Sequence, residues 1–174
     1  MRLMFSALAL VAALGGCAAS RTSILSPADA PTAMIAGDRL TLTRVASETG
    51  GEDPLILLTL THADGRAMRF EEANHAPYDL RAQAAGGPLA QAMGLLGDEQ
   101  PTLYGARAEE NQGAPFVCAP SGPVSIGVLE TADGDVRIVG LRQGFEFETG
   151  PDGAVEALPF SPDQVCARLR FQRG

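Results

Sequence analysis

Few residues in this 174-residue chain have the type and spacing to do chemistry. His75 lies in Glu71-Glu72-Ala73-Asn74-His75, which contains oxygen and nitrogen ligands but neither H-E-x-x-H nor H-x-E spacing, so it reads as a solvated loop. His62 falls at the first position of a predicted turn and is expected to be exposed. Ser121 and Ser125 qualify as nucleophiles by residue type only, because no G-x-S-x-G elbow surrounds them. Glu71/Glu72 and Glu109/Glu110 are adjacent pairs, which a strand sends to opposite faces and a helix separates by about 100°. They read as solvated charge. Every one of the 13 basic residues is Arg, which excludes a Walker-type phosphate loop, a Schiff-base amine and a Lys general base. Gly50-Gly51 and Gly86-Gly87 lack the strand–loop–helix context of a phosphate cradle. The net charge of −8, without an Arg block, argues against nucleic acid. No catalytic residue, metal or cofactor is assigned.

The amino terminus carries the most specific pattern. Arg2 precedes an apolar run, Leu3 to Leu14, that is too short to span a bilayer and has the length of a secretory signal core. It ends in Leu14-Gly15-Gly16-Cys17, which resembles the lipobox of bacterial lipoprotein precursors. That resemblance covers the first 17 residues. It implies that residues 1–16 are a signal peptide cleaved before Cys17, that the Cys17 thiol carries diacylglycerol, and that the new amino terminus is acylated. Several acyl chains, at about 0.8 kcal/mol per buried CH₂, make such an anchor effectively permanent. Ala18 rather than Asp after the lipidated cysteine implies sorting to the outer membrane. Of the three cysteines, Cys118 and Cys166 then remain, in a compartment that permits disulfides. Neither sits in C-x-x-C or near a His, so a structural bridge is favoured over a metal dithiolate or a redox couple.

The elements that would position these groups are mainly β. Residues 18–37, rich in Ala, Ser, Thr and Pro, read as a flexible tether holding the domain about 25 Å from the anchor. Residues 38–174 form one domain. Three Asp-Gly turns, His62-Ala63-Asp64-Gly65, Thr131-Ala132-Asp133-Gly134 and Gly150-Pro151-Asp152-Gly153, mark hairpins, each a type I turn with a glycine bulge. The resulting registers pair Leu60 with Met68, Leu58 with Phe70, Val128 with Ile138, and Phe147 with Ala157. Val136–Thr149 reads as one long strand or two bent at Gly140 and Gly144, and Arg39–Val45 and Leu103–Ala108 add strands. A helical insertion follows Gly87-Pro88, with Leu89, Ala92, Met93 and Leu96 as its apolar stripe, and Tyr78–Ala85 reads as a shorter helix before it. Ser161-Pro162-Asp163-Gln164 predicts a helical turn, followed by a closing edge strand in which Leu169 and Phe171 alternate with Arg168, Arg170 and Gln172. The expected fold is an antiparallel sheet, mainly β (α+β), forming a small barrel or sandwich.

Together these features predict a lipid-anchored envelope protein with a non-enzymatic binding or scaffolding role facing the periplasm. Its partners would be the bilayer, through acylated Cys17, and an envelope protein. Two other classes remain open. An acidic β-domain could capture a cationic lysozyme, in the manner of the membrane-bound c-type lysozyme inhibitors, although that family's Ser-Gly-x-x-Tyr and Tyr-x-x-x-Lys-Gly loops are missing. A periplasmic hydrolase would require Glu71, Glu72 and His75 to converge in a pocket.

Overall fold

Two of the three Asp-Gly turns form as their chemistry dictates, and the third, Gly150-Pro151-Asp152-Gly153, lies mostly outside the described residues. At the first, the Gly65 N–H donates to the His62 carbonyl and the His62 N–H to the Arg66 carbonyl, while Gly65 takes φ 91°. At the second, Thr131, Gly134 and Asp135 repeat the pattern with Gly134 at φ 90°. A positive φ after a type I turn is the glycine-bulge hairpin, a conformation that a side chain at Gly65 or Gly134 would strain. Leu60 pairs with Met68, Leu58 with Phe70, Val128 with Ile138 and Phe147 with Ala157, as the sequence predicts. The computed structural model describes residues 19–47, 55–73, 99, 101–144, 147–149, 151, 155–157 and 162–174. The signal segment with Cys17, the predicted helices over 78–85 and 88–97, and His75 lie outside the described residues.

The strands close into an eight-stranded antiparallel barrel. In chain order the elements are β1 (Ala19–Pro27), α1 (Ala30–Ala36), β2 (Leu40–Ser47), β3 (Leu55–His62), β4 (Ala67–Glu72), β5 (Thr102–Ala106), β6 (Ser125–Glu130), β7 (Asp135–Leu141), β8 (Phe147–Thr149), β9 (Val155–Ala157) and β10 (Val165–Arg173). Single 3-10 turns occur at Ala108–Glu110 and Pro162–Gln164. β1 to β7 follow one another around the wall, and β10 completes it between β7 and β1. Among the described residues β8 and β9 pair only with each other, so Val136–Thr149 is two strands, separated after Leu141. Closure makes β10 a wall strand bonded on both sides rather than the edge strand its alternation suggested.

Residues 19–37, expected as part of a flexible tether over 18–37, instead form a strand and a helix. β1 pairs with β2 from Ala19↔Ala46 to Leu25↔Leu40, and with β10 from Leu25↔Arg173 to Pro27↔Phe171. Beyond Pro27, α1 continues the contact with β10: the Arg170 N–H donates to the Thr32 hydroxyl at 2.9 Å, and Thr32 is fully buried. Asp29 caps α1 by accepting from the Thr32 N–H at 2.8 Å, and a proline stands in the helix's first turn. Backbone pairing and Leu25 burial thus order a segment whose composition alone is too polar for a core.

Eight strands enclose an interior just wide enough for side chains to fill it. Leu25, Leu40, Leu42, Leu58, Leu60, Met68, Phe70, Ile126, Val136, Ile138, Leu169 and Phe171 do so, each 1% exposed or less. Arg168, Arg170 and Gln172 face outward. Apolar inside with guanidiniums outside is the reverse of a bilayer-crossing barrel. At the lower end, where β10 begins, the core continues through Ala36, Phe116, Val117 and Cys118. Cys118 is bonded to Cys166, with their Cα atoms 5.3 Å apart.

Gly140 on β7 makes this packing possible. A Cβ there would lie 2.6 Å from Cys118 Sγ and 3.1 Å from Val117 Cγ1, and the disulfide prevents the sulfur from moving aside. Gly140→Ala is expected to cost about 2–3 kcal/mol in urea unfolding. Gly105→Ala, with nothing within 4 Å of the added methyl, should stay within about 0.5 kcal/mol of wild type.

Candidate functional site

Four inward-facing rows share one sequence pattern. Leu40-x-Leu42-x-Arg44, Met68-x-Phe70-x-Glu72, Ile126-x-Val128-x-Glu130 and Leu169-x-Phe171-x-Arg173 each begin with two apolar residues and finish on a charge. β2, β4, β6 and β10 all run toward the same end of the antiparallel barrel. The four charges therefore gather at the upper end, where β1 begins.

There the Glu130 carboxylate lies between two guanidiniums, pairing Arg44 through Oε1 and Arg173 through Oε2. Arg44 also donates from Nε to the Tyr104 hydroxyl at 3.1 Å. Tyr104 is 1% exposed and lies opposite Glu72, itself 8% exposed, in the β4–β5 register. Arg21, the register partner of Arg44, continues the inward row of Ser23 and Leu25 but is exposed and has no ion pair among the described residues. The Arg173 Nε is the buried side-chain polar atom without an acceptor among the described residues. Among the inward-facing charges, Arg21, Arg44 and Arg173 stand against Glu72 and Glu130, while Asp133 and Asp135 of the β6–β7 hairpin lie on the rim of the same end.

The residues singled out from sequence are distributed elsewhere. Glu71 and Glu72 diverge, as alternation requires: Glu72 faces the interior, whereas Glu71 points out and accepts from Arg107 Nη1 at 3.2 Å. Glu110 completes that outer network with Arg107 and Arg69, and Glu109 is exposed. Ser125 is buried, its hydroxyl donating to the Gln143 carbonyl at 2.7 Å, and Ser121 is exposed in the loop before β6. Glu71 and Glu72 thus sit on opposite faces of the wall, and Ser121 and Ser125 on a loop and a strand. His62 departs from its expected exposure: it continues the inward row of Leu58 and Leu60, its side chain is 13% exposed, and its ring lies 5.2 Å from that of Phe116. Its Nδ1 meets Asp64, and Gly37 leaves room beside Nε2. Among the described residues, no three metal-ligating side chains gather, and no helix is long and apolar enough to cross a membrane.

On the outer face of β5–β7 a second set of apolar residues, Leu103, Leu129 and Val139, is also buried. Beside it, Arg137 holds Asp135 at 2.8 Å and both oxygens of Glu99 at 3.0–3.1 Å, contacts that raise the Arg137 pKa, the Asp135 hydrogen bond contributing most.

Three turn carboxylates titrate below the ordinary value of 3.8. Asp29 is lowered chiefly by its hydrogen bond from Thr32, Asp64 by the Arg66 backbone N–H, and Asp133 by the Thr131 hydroxyl. A depressed folded-state pKa contributes stability that is present above the unfolded value and lost as the pH falls through the folded one. Urea midpoints should therefore hold above about pH 5 and decline below 3.8, with a shallower decline in Asp64→Asn/Asp133→Asn. An equal decline in that variant would contradict the assignment.

Compared with protein-family models, curated proteins and solved structures, the chain matches none.

Proposed function

We propose that the chain is a membrane-anchored envelope lipoprotein whose barrel has a non-enzymatic binding role facing the periplasm. The observation that carries this reading is the start of β1 at Ala19, two residues after the lipobox cysteine, at the barrel end that holds the charged ring. With Cys17 acylated, about 7 Å of extended chain separates the thioether from the barrel wall. The upper end then sits at headgroup level, and the lower end with its disulfide points into the periplasm. Outer-membrane placement rests on the lipobox resemblance and Ala18.

Crosslinking and pull-down of the lipidated protein from its own cells should recover an envelope component in a defined ratio. Purified protein is expected to leave generic ester, peptide and glycan substrates unchanged. Robust turnover of any of these would replace this reading with the hydrolase one.

A further inference from the structure

We infer that the charged ring at the upper end is a phosphate-binding site, formed by Arg21, Arg44 and Arg173 around Glu130. This rests on the anchored reading above for the source of the ligand, not for the chemistry of the site. Glu130 engages one terminal nitrogen of each of two guanidiniums, Arg44 Nη1 and Arg173 Nη2. Arg44 Nε is committed to Tyr104, whereas the buried Arg173 Nε–H has no acceptor among the described residues. A buried donor on a cation is costly unless an acceptor meets it, and an oxyanion meets it best. Guanidinium forks match phosphate oxygens in pairs, which a lysine ammonium cannot do, and this chain uses arginine for every basic residue.

The surroundings fit the same ligand. The ring's side chains are neither sealed nor fully solvated, at 21% for Arg44, 19% for Glu130 and 26% for Arg173. A phosphate can therefore reach guanidiniums whose attraction is only partly screened by water. Arg21 stands exposed beside Arg44 on the adjoining strand, placed to close over a ligand from the rim. On the anchored reading the nearest phosphates are lipid headgroups, and free inorganic phosphate offers the same oxygens.

The test uses the mature lipidated protein in detergent micelles, with arginine side chains labelled with nitrogen-15. The probes are inorganic phosphate, acetate at matched ionic strength, and short-chain phosphatidylglycerol. Phosphate or the phospholipid should shift the Arg173 Nε–H resonance saturably, with acetate producing little change. Arg21→Gln should weaken binding at least tenfold while leaving the melting temperature near wild type, and Arg39→Gln, at an exposed arginine before β2, should leave binding unchanged. A response to phospholipid alone identifies a headgroup, a response to phosphate alone identifies the free ion, and a response to both identifies the phosphate group itself. No shift with either probe, an equal shift with acetate, or binding indifferent to both Arg21→Gln and Arg173→Gln would overturn the inference. Palmitate labelling of the same preparation reads the anchor independently: labelled protein that ignores both probes sinks the phosphate site alone, and unlabelled protein that binds phosphate sinks the anchor alone.

Discussion

Replacing Cys118 and Cys166 together by alanine is expected to lower the unfolding free energy by about 4 kcal/mol, the unfolded-chain entropy that a bridge between residues 48 positions apart removes. The bridge joins the segment leading into β6 to the start of β10, the two strands that flank β7 in the wall. It also holds Cys118 at φ 55°, a left-handed conformation that side chains avoid, and it seats Val117, fully buried, beneath Gly140. Without it, the lower end of the barrel keeps its apolar contacts but loses the covalent tie that sets their geometry. Urea unfolding of the variant beside the oxidised wild type measures the difference. A change below about 1 kcal/mol would mean that the unfolded chain gains little freedom, or that the lower end is held by packing alone.

The second large effect belongs to the upper end. Glu130→Gln should cost about 2–3 kcal/mol, because it leaves the Arg44 and Arg173 guanidiniums facing each other without the carboxylate between them. The figure lies below that of a fully buried pair because about a fifth of each side chain still meets solvent. The converse substitution separates stability from function. Arg44→Met/Glu130→Leu/Arg173→Leu extends the apolar rows beneath and should be close to wild type in stability, or above it, while abolishing phosphate binding. A triple variant less stable than Glu130→Gln would show that the ring is structural. Recovery of stability with loss of binding would show that the ring is retained for its ligand.

The hairpins were legible because each rests on two local signals that agree, an Asp-Gly turn and apolar alternation in phase on both sides of it. β1 was not, because Ser20, Arg21, Thr22 and Ser23 show no apolar alternation and pair with β2 alone. Only Leu25 reaches the core from that strand among fully buried residues, and the closure with β10 that makes the segment a wall is a long-range contact. α1 leaves no apolar pattern for a related reason: its buried residues are Thr32 and Ala36, too small to make an apolar stripe. Asp29 followed by Pro31 was a readable helix start. The turn position of His62 suggests exposure, whereas its row, Leu58-x-Leu60-x-His62, points it inward. The charged ring was present in sequence as four rows ending in charge, but only closure of the sheet brings Arg44, Glu130 and Arg173, from three distant strands, to one point.

The central claim is that this barrel hangs from a lipid on Cys17 with its charged end at the membrane. Palmitate labelling with membrane fractionation, for wild type and Cys17→Ala in a bacterial host, tests it most directly. The account predicts a labelled wild type that stays in the membrane pellet through high-salt washing and an unlabelled Cys17→Ala variant that leaves it. Cys17→Ala remaining salt-resistant in the pellet, or an unlabelled wild type, would contradict it.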